Sequence, residues 1–166
     1  MKGAGREFAL IGTTLFRSEK FIALRSDKSR LAYVSLHLSP LGNFQGMFWC
    51  PPAMIASDLK CDPGEAEGAL LDLADAGLIE LDAADEFIRI VGWHLKANAP
   101  YNQARALTRL RELSSLPGPE WMRRATSAEL FLAIGRKLTG WNPDVAITNE
   151  LHREMSRQFQ REAASK

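Results

Sequence analysis

Apolar positions recur at helical spacing in several stretches of the chain, separated by proline, glycine and asparagine. Leu31, Val34 and Leu38 mark a first helix, which Ser26-Asp27 can cap and Ser39-Pro40-Leu41-Gly42-Asn43 ends. Met47-Phe48-Trp49 is a short, extended apolar run. Pro51-Pro52 opens a second helix with Ile55 and Leu59 on its buried face. After the turn Lys60-Cys61-Asp62, the sequence Asp62-Pro63-x-Glu65 is a helix start: a cap, a first-turn proline and a first-turn carboxylate. That third helix runs to about Ala76, buries Ala66, Ala69, Leu70, Leu73 and Ala74, and stops at Gly77. Leu78-Ile79-Glu80-Leu81 and Phe87-Ile88-Arg89-Ile90-Val91, with Asp82–Glu86 between them, read as a β-hairpin.

Trp93 to Asn102 is irregular and leads into a helix around Gln103–Leu113. Leu116-Pro117-Gly118-Pro119 is the clearest linker. Beyond it, Thr126-x-x-Glu129 fits a capping box ahead of Leu130, Phe131, Ile134 and Leu138, and Gly140-Trp141-Asn142-Pro143 breaks that helix. Leu151, Met155 and Phe159 stand four apart on a last helix, as core or as a dimer contact. Trp93 and Trp141 are expected to anchor cores. The order helix, short strand, helix, tight turn, helix, hairpin predicts a winged helix-turn-helix. The expected fold is mainly α with a small β-hairpin. It is divided into an N-terminal arm (1–15), the winged helix-turn-helix (16–98), a connecting helix (99–116) and a C-terminal helical extension (117–166).

Composition narrows the function classes. The chain has 166 residues, 46% hydrophobic and 25% charged, which suits a folded globular protein and not a disordered one. No run of about 18 apolar residues occurs, so no membrane span is expected. The N-terminal residues lack the apolar core of a signal peptide. Cys50 and Cys61 fall in no Cys/His cluster, which predicts a cytoplasmic protein with reduced thiols, no structural zinc and no disulfide. His37, His94 and His152 are scattered, and no nucleophile, phosphate-loop or dinucleotide motif is present. The reading is of a protein that is not an enzyme and needs no cofactor or metal.

Charge is blocked along the chain. Residues 1–51 carry a net +4, residues 52–86 a net −9 and residues 87–166 a net +6. The third helix bears Glu65, Glu67, Asp72 and Asp75 and no Lys or Arg. Duplex DNA carries about one negative charge per 1.7 Å of axis, so this helix is poorly suited to enter a groove. A solvated acidic face, or a face that docks a basic protein surface, suits it better. Phosphate contacts are expected instead from Lys20, Arg25, Lys28 and Arg30 around the first helix, Arg89 in the hairpin, and Lys96, Arg105 and Arg109 after it. Arg105 and Arg109 share a helix face, while Asn98, Tyr101 and Asn102 supply hydrogen-bonding and stacking groups beside them. Arg123 and Arg124 are adjacent, and Arg153, Arg157 and Arg161 form a stripe that Glu150 and Glu154 share.

The segment Phe16–Leu116 resembles a diffuse family of phage and prophage replication-initiation proteins of the replisome-organiser type. Four pieces carry the likeness. They are Phe16-Arg17-Ser18-Glu19-Lys20; Gly46-Met47-Phe48 with Pro52-x-x-Ile55-Ala56-x-Asp58-Leu59; Glu67-x-Ala69-Leu70-x-x-Leu73-x-x-Ala76-Gly77-Leu78-Ile79-Glu80-x-Asp82; and Ile90-Val91-x-Trp93 followed by Lys96-x-Asn98-x-Pro100-x-Asn102. The third piece is common to winged helices of many kinds; the fourth narrows the likeness to the phage group. The resemblance implies a winged-helix protein that binds DNA in replication initiation and has a replication protein as a further partner. The family's long C-terminal region is short in this chain, so DNA binding is implied more strongly than helicase loading. Two other readings stand beside it: a protein-interaction module or toxin-like inhibitor that docks through the acidic helix, and a dimeric winged-helix transcription regulator.

Overall fold

The computed structural model describes residues 10–137, 140 and 145–164. Most of the expected N-terminal arm, residues 1–9, lies outside them, as do Leu138, Trp141 and the rest of the expected break up to Pro143. The described residues are mainly helical with one small three-stranded antiparallel sheet, and Cα packing divides the chain into two units between Gly92 and Trp93.

The first unit begins with a 3₁₀ turn at Leu15–Arg17 and a short helix, α1 (Glu19–Ile22). Phe21 of α1 is fully buried and meets the Phe16 ring edge-on at 5.3 Å and Tyr33 at 5.9 Å. Helix α2 (Asp27–Leu38) starts where the Ser26 hydroxyl accepts from the Ser29 N–H at 3.0 Å. Its buried face is not the one that Leu31, Val34 and Leu38 outline. Ala32, Tyr33, Leu36 and His37 point inward, while Leu31 and Leu38 are 54% and 59% exposed. The aromatic partners decide this. Tyr33 packs between Phe21 and His37, and large rings bury more apolar area than the aliphatic positions they displace.

Strand β1 (Met47–Trp49) leads into α3 (Pro52–Leu59), with proline in its first turn. The α3 end is made by Lys60 in the left-handed region at φ 50°. Helix α4 (Pro63–Asp75) carries the capping box the sequence foreshadows. Asp62 accepts from the Gly64 N–H at 2.8 Å, and Glu65 reaches back to the Asp62 N–H at 3.1 Å. Gly77, at φ +63°, closes it. Strands β2 (Ile79–Asp82) and β3 (Phe87–Ile90) form the hairpin, and β1 pairs with the free side of β3 in the order β1-β3-β2. Phe48 and Leu81 both face Ile88 across the ladders. All four residues of the central strand β3 are therefore buried.

The second unit holds α5 (Gln103–Leu113), α6 (Glu120–Lys137) and α7 (Val145–Ala164). Ala106, Leu107, Leu110 and Leu113 of α5 pack with Leu130 and Ile134 of α6 and Leu151 of α7. The helix expected to connect two parts is thus a wall of this core. Trp93 is buried, as expected. Met155 packs partly against the cluster, whereas Phe159 is 66% exposed and leaves it. The capping box expected at Thr126 and Glu129 is not one. Helix α6 already begins at Glu120, because Pro119 supplies the break and its carbonyl takes the Arg123 N–H at 3.1 Å. Thr126 lies inside the helix and donates to the Met122 carbonyl, and Glu129 accepts from the His94 N–H at 2.7 Å.

Candidate nucleic-acid interface

In the first unit the candidate cations and the acidic helix hold one another. Arg25 donates its backbone N–H to Asp72 at 3.0 Å and its guanidinium to Asp75 at 3.1 Å. Lys28 meets Glu65 at 2.6 Å. The hydrogen bond from Lys28 holds the Glu65 carboxyl below the usual glutamate range, helped by the Asp62 N–H, and Glu65 in turn raises Lys28. Lys20 donates to the Gly77 carbonyl at 3.1 Å, placing a cation at the negative end of α4. Arg30 bonds Asp27 at 2.5 Å and the carbonyls of Ile22 and Leu24 at 3.0 Å each. Glu67 alone of the four α4 carboxylates is exposed with no ion-pair partner among the described residues.

Arg89 is a structural residue. Its guanidinium is 7% exposed and grips Glu80 on the neighbouring strand through two bonds of 2.7 and 2.8 Å. The basic segment and the acidic helix, which the sequence presents as rival surfaces, thus make one internally neutralised face. A cation already seated on a carboxylate gains less from a phosphate than a free one does.

The second unit keeps Lys96, Tyr101, Asn102 and Arg105 open to solvent. Asn102 caps α5, its side-chain oxygen accepting from the Arg105 N–H at 2.9 Å. Tyr101 is 66% exposed. Arg105 donates to the Tyr101 hydroxyl at 3.2 Å, and its guanidinium carbon stands 5.9 Å from the ring centroid. Arg109 follows one turn later on the same side of α5 and is half-buried. Lys96 is exposed and Asn98 half-buried in the turns ahead of α5, and the Lys96 amine has no ion-pair partner among the described residues. The structure therefore sets Tyr101, Asn102 and Arg105 at the start of α5, with Arg109 one turn further along it.

No group of three His, Cys, Asp or Glu residues among the described residues is placed to hold a metal ion. The Cys50 thiol is pushed up to about 12, chiefly by burial and secondarily by Asp58, so it is protonated at neutral pH. His37 is buried, with its Nδ1 2.9 Å from the Tyr33 carbonyl. No described helix is long and apolar enough to cross a membrane.

Comparison of the chain with family models, curated proteins and solved structures finds no match in any of the three.

Proposed function

We propose that this chain is a DNA-binding protein with a winged helix-turn-helix in its first unit, acting in replication initiation of the phage or prophage kind. The observation that carries the fold part is the element order α2-β1-α3-α4-β2-β3 with β1 laid on the hairpin in the order β1-β3-β2. The three-residue turn Lys60–Asp62 between α3 and α4 supports reading these two as the helix-turn-helix, with β2–β3 as the wing. The replication role rests on the sequence resemblance over Phe16–Leu116.

The mode of contact follows from where free charge is left. Helix α4 carries only acidic charges, and the hairpin turn adds Asp85 and Glu86, so neither reads a groove well. The start of α5 offers an exposed ring with a guanidinium beside it, the pairing that single strands use: stacking for a base and a cation for the adjoining phosphate. Lys96 adds charge close by in sequence. One observation favours the protein-interaction reading instead: Leu71 is 51% exposed on α4, one turn from Glu67.

Fluorescence anisotropy of labelled duplex and single strand, between about 50 and 200 mM salt, tests the proposal. Micromolar or tighter binding that falls steeply with salt, prefers the single strand and weakens in Tyr101→Ala and Arg105→Glu is expected. Absence of binding at low salt overturns it and moves attention to Leu71 and Glu67.

A further inference from the structure

The second unit contains a cavity of about 390 Å³ whose wall takes residues from the end of α5, the first half of α6 and the last turns of α7. That volume lies at the small end of ligand sites. Arg123, Arg124 and Arg161 line it, against Glu120 as the carboxylate among them. Arg124 pairs with Glu120 at 2.7 Å. Arg123 spends one N–H on the Leu116 carbonyl at 3.1 Å, which leaves most of its five donors for other use. The α6 N-terminus begins at the same wall and adds the positive end of an 18-residue helix.

Ser127 is the second, independent sign. It lines the cavity, is 3% exposed, and its Oγ has no hydrogen-bond partner among the described residues. That is not the habit of hydroxyls in this unit. Thr108, Ser114, Ser115 and Thr126 each donate to a carbonyl three or four residues back. A buried hydroxyl left unmatched is destabilising, and such groups in a native fold point to something that matches them.

We infer that this cavity binds a phosphate monoester. A carboxylate would be satisfied by one guanidinium fork. Three guanidiniums set against one carboxylate, with a hydroxyl donor beside them, leave a net positive wall that suits the double charge and three terminal oxygens of a phosphate monoester. The ligand is held chiefly by Arg123, with Arg161 and the Glu120-paired Arg124 adding positive charge around it, and is oriented by Ser127. Gln158 flanks it with its amide already bound to the Leu110 carbonyl at 3.0 Å.

The test is isothermal titration calorimetry of the full chain with inorganic phosphate, adenosine 5′-monophosphate and adenosine, alongside an oligonucleotide with and without a 5′-phosphate. Expected is one-to-one binding of the phosphate-bearing probes, none of adenosine, and a loss of about tenfold or more in Ser127→Ala and in Arg123→Gln. Tighter binding of the 5′-phosphorylated strand than of its twin, lost in the same variants, assigns the phosphate to a strand end. Equal binding of the two strands assigns it to a free small molecule. Without ligand, Ser127→Ala should melt no lower than the parent, since it removes an unmatched hydroxyl. Binding of no phosphate probe, binding unchanged in both variants, or a lower melting temperature for Ser127→Ala would each overturn the inference.

Discussion

Arg25 and Asp72 are joined twice: the Arg25 N–H donates to one carboxylate oxygen at 3.0 Å, and its Nε lies 3.6 Å from the other. The bond ties the turn ahead of α2 to the last turn of α4, 47 residues away. The Asp72 side chain is 9% exposed, so solvent cannot replace it freely. Asp72→Ala should cost about 1–3 kcal/mol in urea unfolding, the range for a buried hydrogen bond left half-made. Asp72→Asn, which keeps an acceptor, should cost less.

The Arg89–Glu80 pair predicts an asymmetry. Glu80→Ala takes the paired carboxylate from a side chain that is 7% exposed, and should cost about 3 kcal/mol, the lower edge for breaking a buried pair. Arg89→Met leaves only Glu80, which is 35% exposed and can turn to water, so it should cost less. Chemical denaturation of the two variants checks the order. Neither loss should be mistaken for a loss of DNA contact, because Arg89 is a strand-to-strand tie.

Lys28 and Glu65 predict a pH window. Glu65 is lowered in the folded state by Lys28, so its contribution is present above the ordinary glutamate value of about 4.3 and fades as pH falls through the folded value. Lys28 is raised by Glu65, so its contribution is present below about 10.4 and fades as pH climbs through its folded value. The difference in melting temperature between parent and Glu65→Gln should therefore be widest between these limits, shrink outside them, and shrink with added salt. A difference that is flat across pH would contradict the pairing.

The two cysteines should separate under alkylation. Cys50 is buried with its thiol pushed up to about 12, while Cys61 is half-buried in the turn between α3 and α4. Iodoacetamide at neutral pH should modify Cys61 and spare Cys50 in the folded protein, and modify both in urea, as read by mass spectrometry.

Local chemistry made much of this fold legible. Ser26, Pro52, the Asp62–Glu65 box and Gly77 act through neighbours within a few residues, so the helices they bound could be placed from sequence. The inward face of α4 could be read because Ala66, Ala69, Leu70 and Leu73 form one clean stripe. The face of α2 could not, since Tyr33 is turned inward by Phe21, which arrives from another helix. Thr126-x-x-Glu129 carries the pattern of a box, but both side chains found partners elsewhere. Charge blocks were plain in the sequence and their pairing was not, because Arg25 meets carboxylates 47 and 50 residues away. Nor does spacing bring Arg161 to the cavity that Arg123 and Arg124 line.

The row of rings Phe16, Phe21, Tyr33 and His37 has a practical corollary for anyone cutting the first unit down. Ser26, with its helix cap, looks like a clean place to start a shortened version. Starting there would remove the ring that covers Tyr33, the amine on the Gly77 carbonyl and both carbonyls that hold Arg30. A fragment beginning at Ser26 would thus display a bare aromatic face and aggregate, whereas one that keeps Leu15 onward would retain the whole set of clasps.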